Sequence, residues 1–110
     1  MWSGDKVMIK NSSAVSFASD VLSVKDRVLV YFWSESSDLC KTSWPILEEA
    51  SNMLDRIDIV KVKSDNNAEL LQELGVTDIP TVILFEDGKE KNRCGYVINK
   101  DSFLQSFGLN

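Results

Sequence analysis

Val28-Leu29-Val30-Tyr31-Phe32-Trp33, running straight into Ser34-Glu35-Ser36-Ser37-Asp38-Leu39-Cys40-Lys41, is the stretch that decides the fold. Its first six residues are continuously apolar, β-branched or aromatic. That pattern predicts a central strand covered on both faces, because a half-exposed strand would alternate. Ser34 to Asp38 is polar and cap-like. A helical pattern follows from Leu39 to about Leu54, with Leu39, Ile46, Leu47, Ala50 and Leu54 on one face. Pro45 lies inside it, removes a backbone donor and crowds the preceding turn, so a kink is expected there.

Upstream, Val7-Met8-Ile9 reads as a short strand. Asn11-Ser12-Ser13 offers cap oxygens to a helix whose apolar stripe is Val15, Ala18, Val21 and Leu22. Downstream, Ile57 to Lys63 ends in alternation and reads as a strand. Asp65-Asn66-Asn67 opens a short helix carrying Leu70, Leu71 and Leu74, and Gly75 suits its C′ position. Pro80 precedes the strand Thr81 to Phe85. Asp87-Gly88 is a hairpin turn leading to a polar strand, Lys89 to Cys94. Asn99-Lys100-Asp101 caps a last helix with Phe103, Leu104 and Phe107, ended by Gly108. The order β-α-β-α-β-α-β-β-α predicts an α/β fold whose mixed sheet carries helices on both faces, with parallel crossovers first and an antiparallel hairpin last.

The 110 residues fit one domain, 1–110, with no repeat and no linker. Lys and Arg number 12 against 17 Asp and Glu, a net charge of −5. An acidic chain of this kind is a poor partner for nucleic acid or an anionic membrane. The absence of His excludes Ser-His-Asp and Cys-His hydrolytic machinery and histidine-ligated zinc. Two cysteines, Cys40 and Cys94, cannot complete a structural zinc site or a disulfide scaffold, so no metal is expected. No apolar run approaches the roughly 20 residues of a membrane span. Met1 to Lys10 has no apolar core of a signal peptide, and a cytoplasmic location is the expectation. No pair among the acidic residues presents itself as a general acid/base couple.

The segment Val28 to Lys41, continuing Thr42-Ser43-Trp44-Pro45-Ile46-Leu47-Glu48-Glu49, resembles the active-site region of thioredoxins. There a central strand ending in Phe-Trp enters Cys-x-x-Cys at a helix N-terminus, followed by Lys and a helix-kinking Pro. Gly75-Val76-Thr77-Asp78-Ile79-Pro80-Thr81-Val82-Ile83-Leu84-Phe85 with Asp87-Gly88 resembles the family's second signature, a strand entered through a cis-proline. The resemblance runs from about Val7 to Phe107. It implies the thioredoxin fold, a central mixed five-stranded sheet flanked by four helices, in a monomer without a bound cofactor. The chemistry it implies is protein thiol–disulfide exchange in cell redox homeostasis. A helix N-terminus carries about half a positive charge, which favours the attacking thiolate.

The chain departs from that pattern where the attacking cysteine would be: it reads Ser37-Asp38-Leu39-Cys40. Ser37 occupies the nucleophile position and Cys40 the resolving one. A hydroxyl has no comparable acidity and forms no disulfide, so dithiol cycling is expected to be disabled. Tyr31 stands where the family usually has a buried Asp serving the resolving thiol, and Ser36 where Trp is frequent. By resemblance, Lys61, Tyr31 and Pro45 support the site, while Trp33, Ser36, Ile79, Pro80, Cys94 and Gly95 line a groove for disulfide-bearing proteins. A disulfide reductase would recharge a redox-active form. Read without the resemblance, Cys40 and Cys94 are small structural thiols, Lys61 a solvated strand residue, and Pro80 a trans strand-entry proline. Two main functions follow: an oxidoreductase scaffold with its nucleophile replaced, or a natural redox-inactive binding module using the groove beside Pro80. A third, weaker one is a monothiol function of Cys40 or Cys94.

Overall fold

The computed structural model describes residues 9–54, 57–97 and 99–109. Among these residues five strands form one sheet: β1 (Ile9–Ser12), β2 (Arg27–Trp33), β3 (Ile57–Lys63), β4 (Thr81–Glu86) and β5 (Lys89–Cys94). Their spatial order is β1-β3-β2-β4-β5. β1, β3 and β2 run parallel, whereas β4 is antiparallel to β2 and β5 to β4. Among the described residues four helices accompany the sheet: a five-residue π-helix (Ala18–Leu22), α1 (Asp38–Ser51), α2 (Ala68–Glu73) and α3 (Lys100–Ser106). This is the mixed five-stranded, four-helix architecture that the resemblance implies.

The unbroken apolar run of β2 follows from its place in the middle, because successive side chains point to opposite faces. Leu29 and Tyr31 face α1 and α3, where they join Leu47, Ala50, Phe103, Leu104 and Phe107. Val28, Val30 and Phe32 face the other way, into a cluster with Phe17, Val21, Leu70 and Leu71. Each face of the sheet thus has its own apolar cover.

Several local readings are corrected. Val7 and Met8 of the first strand reading lie outside the described residues. Asn11 and Ser12 belong to β1, paired with Lys61 and Val62, and are not helix caps. A ladder is made by backbone groups, so an edge strand accepts polar residues. The apolar contacts of the π-helical region are Phe17 and Val21; Val15 and Leu22 face solvent. Its Ser23 N–H reaches the Ala18 carbonyl, an i→i+5 bond that breaks the 3.6-residue period behind the expected stripe. Asn67 does not cap α2 with its side chain. Its carboxamide accepts from the Ala14 N–H at 2.8 Å and donates to the Lys63 carbonyl at 2.8 Å, tying two distant loops together.

The helix ends follow sequence more closely. At the end of α2 the Val76 N–H bonds Leu71 O and the Gly75 N–H bonds Gln72 O, the paired bonds of a Schellman motif. Arg93 of β5 adds its guanidinium to the Leu74 and Gly75 carbonyls there and grips Glu90 with two short bonds, at 2.6 and 2.7 Å. The β4–β5 turn, Asp87-Gly88, has φ of 54° and 74°, the left-handed pair of a type I′ hairpin. Gly88 also packs against the π-helix: a Cβ there would collide with the Leu22 carbonyl oxygen.

Gly88→Ala therefore combines a left-handed conformation costing roughly 1–2 kcal/mol with a backbone collision. Urea unfolding is expected to show a loss of at least about 2 kcal/mol. A loss under about 0.5 kcal/mol would mean that the hairpin and the π-helix separate freely.

Candidate functional site

β2 ends at Trp33, and the chain turns at the C-terminal end of this central strand through Ser34 to Ser37. The Ser37 N–H bonds Ser34 O at 3.3 Å, and the Ser36 N–H bonds Ser34 Oγ at 3.3 Å. This tight turn delivers Ser37 to the N-cap of α1, with extended φ and ψ of −92° and 117°. Its hydroxyl accepts the Cys40 N–H at 3.3 Å, satisfying one of the helix's orphan donors. Ser37 and Cys40 are therefore one turn apart and in contact, but the contact runs through a backbone amide.

Cys40 is buried, as are Ser43, Leu47 and Ala50 further along α1. Leu39, which the sequence pattern put on this face, is 48% exposed, displaced by the Cys40 stripe. α1 runs through Pro45 as one helix. Pro45 has no N–H, so the Lys41 carbonyl loses its i+4 partner.

Beneath Cys40 lies Tyr31, fully buried, whose hydroxyl donates to the Cys40 carbonyl at 3.2 Å. Burial first, then hydrogen bonding and charge at Cys40, push the phenol well above its ordinary range, so it stays a neutral donor. The Tyr31 ring stacks on Trp44, with centroids 5.3 Å apart and planes 30° apart. Across the β2–β3 ladder Lys61 pairs with Tyr31 and therefore stands on the same face. Its Nζ is 4.1 Å from the Trp44 ring centroid and 4.9 Å from that of Trp33. Lys61 is thus half-buried over two indoles, and the solvated reading does not hold. Tyr31, Trp33, Ser34, Glu35, Cys40, Lys41, Trp44 and Lys61 line a cleft of about 380 Å³.

Antiparallel pairing of Phe32 with Thr81 sets Pro80 alongside the end of β2. The Ile79–Pro80 peptide is cis. Cys94 pairs with Val82, so Gly95 follows beside Pro80; a Cβ on Gly95 would meet Pro80 O at 3.7 Å, an ordinary contact. Cys94 and Gly95 line a separate hollow with Asp78, Thr81 and Arg93. Both cysteines are free thiols. Burial pushes the Cys94 thiol up to about 11, leaving it protonated at neutral pH and a poor nucleophile. Ser36 is exposed at the rim, and Ile79 packs toward the Phe17 cluster.

Sequence reading missed Ser43, Trp44 and Lys63. Ser43 is fully buried; its hydroxyl accepts the Val97 N–H at 3.2 Å and donates to the Val97 carbonyl at 3.5 Å. It fastens the segment after Gly95 to α1. A serine at helical spacing from Cys40 and Leu47 was the available signal. Lys63 pairs with Glu35 at 2.9 Å, and burial plays little part because both are exposed.

Ser43→Ala leaves the buried Val97 N–H without an acceptor, at an expected cost of about 1–3 kcal/mol in urea unfolding. A change below about 0.5 kcal/mol would mean that this segment finds another partner and that Ser43 does not position it.

The chain matches the family model described as Thioredoxin over residues 7–107. It is 37% identical over 86 residues to a thioredoxin of Rickettsia typhi, covering 77% of this chain and 82% of that one. It is 35% identical over 98 residues to a thioredoxin of Rickettsia prowazekii, covering 88% and 93%. A bifunctional thioredoxin reductase/thioredoxin of Mycobacterium leprae is 42% identical over 79 residues, covering 71% of this chain and 17% of that protein. With the sheet order, the helix-start cysteine and these matches in agreement, the chain belongs to the thioredoxin family, whose chemistry is thiol–disulfide exchange.

Proposed function

We propose that this chain is a thioredoxin-class thiol–disulfide oxidoreductase scaffold in which Ser37 has removed the dithiol cycle, leaving a groove that receives disulfide-bearing proteins. The observation that carries this reading is the bond from the Cys40 N–H to Ser37 Oγ at the start of α1, at the end of the central strand. It supports Ser37 as the occupant of the attacking position and Cys40 as the one behind it.

With a cysteine in place of Ser37, the cycle balances in two displacements. The introduced thiolate attacks one sulfur of a substrate disulfide and expels the other as thiolate. Cys40, deprotonated, then attacks the introduced sulfur, closes an internal disulfide and releases the second substrate thiolate. Two electrons pass to the substrate, and a disulfide reductase of the thioredoxin reductase type returns the dithiol. With the serine oxygen there, the first step forms no disulfide, and the cycle stops before Cys40 is engaged. Cys40 alone could hold a mixed disulfide but has no partner thiol to resolve it, and its burial slows even that.

Trp33, Ser36, Ile79, Pro80, Cys94 and Gly95 form the groove in this reading, and an extended substrate segment pairs with backbone beside Pro80. Pro45 and Tyr31 shape α1 and the floor under Cys40. The chain acts as a monomer in the cytoplasm, as one domain, without metal or cofactor. Among the described residues no helix is long and apolar enough to cross a membrane.

A second reading, a redox-inactive binding module, draws on the same hydrogen bond. Ser37 has structural work as an N-cap, a role that does not require it to stand in for a lost nucleophile.

The two readings part at Ser37→Cys. The chain as it stands is expected to give no insulin-type disulfide reduction. In the variant, oxidation should remove two thiols by titration, and reduction of protein disulfides should appear. A measurable turnover by the unaltered chain would overturn the disabled cycle. A variant whose introduced thiol pairs with Cys40 without reducing protein disulfides would leave the binding module as the function.

A further inference from the structure

Among the described residues, the cleft beside Cys40 contains one cation without an anion. Of the lysines around it, Lys41 meets Asp38 at 3.6 Å and Lys63 meets Glu35 at 2.9 Å. Lys61 has no carboxylate within 4.0 Å and no hydrogen-bond acceptor among the described residues; the groups near its Nζ are the faces of Trp33 and Trp44. The hydroxyl on its own face, that of Tyr31, is turned away to the Cys40 carbonyl. A second group in the same wall is also unsatisfied. Trp33 Nε1 is buried with no acceptor, an arrangement that is ordinarily destabilising.

We propose that this cleft is a binding site for a small aromatic carboxylate, held by an ion pair to Lys61 and by apolar contact with the Trp33 and Trp44 side chains that line it. The carboxylate supplies the acceptor that Lys61 lacks and brings one beside the Trp33 wall. The flat body finds aromatic surface, and the volume of about 380 Å³ lies at the small end of ligand sites, suited to one or two fused rings. A phosphate alone would make no use of the apolar lining of the cleft, and a cation would meet Lys61 as a like charge. Glu35 and Asp38 at the rim each face their own lysine, so neither cancels Lys61. Neither Ser37 nor a disulfide takes part in this binding, so it can be tested without the redox reading, although the cleft shares Trp33, Tyr31, Cys40 and Lys61 with that site.

The probe is 2-naphthoate, titrated into the intact chain at low salt and followed by the indole N–H resonances and by tryptophan fluorescence. Saturable binding with a Kd below about 1 mM is expected, moving the Trp33 and Trp44 resonances; fragments of this size commonly reach that range. The neutral 2-naphthamide should bind at least about tenfold more weakly, a ratio equivalent to one ion pair of about 1.4 kcal/mol. Lys61→Gln should cost a similar factor, and Lys61→Arg should restore binding to within about threefold because it keeps the charge. Circular dichroism on both variants separates lost binding from lost folding. Equal affinity for acid and amide would reduce the site to an apolar crevice and overturn the proposal. So would undiminished binding in a folded Lys61→Gln, or shifts confined to resonances other than those of Trp33 and Trp44.

Discussion

The burial of β2 on two faces at once is the constraint on which the rest of the structure depends. Val28, Val30 and Phe32 require cover on one side, and Leu29 and Tyr31 on the other. Each fully buried side chain of this size is stabilised by about 1.5–3 kcal/mol relative to exposure. A strand dry on both faces has to sit inside the sheet, with β3 on one flank and β4 on the other. The helices are then distributed by necessity: α1 and α3 over one face, the π-helix and α2 over the other. The site lies where this strand runs out of apolar residues. Trp33 is the last of them, and the polar turn after it lets α1 begin above the sheet end, where its first amides face the exposed rim.

Much of this was legible because it rests on period and punctuation. β2, β3, β4 and the hairpin at Asp87-Gly88 announce themselves by continuous or alternating apolar runs and by turn residues whose φ is positive. The capped starts at Ser37 and Asn99 were readable for the same reason, since a side-chain oxygen before an apolar stripe has a local use. What stayed hidden was decided by partners distant in sequence. Asn67 looks like a cap but serves Ala14, 53 residues away. Ser43 looks like a neutral helix residue but serves Val97, 54 residues away. Phe17 replaced Val15 as a core contact because Val15 lies in the turn before the helix, and Phe17 stands one turn ahead of the buried Val21. No local stretch of sequence contains that information.

The site was legible in its frame and less so in its electrostatics. Cys40, Tyr31 and Lys61 could be named from the sequence, but where their polar ends point could not. Tyr31 has the bulk to stack on Trp44 and the reach to bond the Cys40 carbonyl, so its hydroxyl is consumed locally. Lys61 is left to the indoles, whose faces attract a cation by about 0.5–2 kcal/mol without neutralising it. A carboxylate in place of Tyr31 would have made a neutral pair on this face. A tyrosine makes a positive one, in a chain that is acidic as a whole.

Position 37 sets stability against chemistry. The Ser37 hydroxyl is a good acceptor for the Cys40 N–H, and serine is among the preferred N-caps, with caps of this kind contributing about 1 kcal/mol. A thiol there is a weak acceptor, so the same amide would be less well satisfied. It would also be more exposed to an incoming thiolate charge, which is what the helix terminus favours in a reactive site. A reactive cysteine at this position therefore carries unsatisfied donors that serine closes. The geometry around Ser37 is that of a helix start with one of its donors, the Cys40 N–H, met from within. One oxygen, that of Ser37, bonds the Cys40 amide where a thiol would bond it less well.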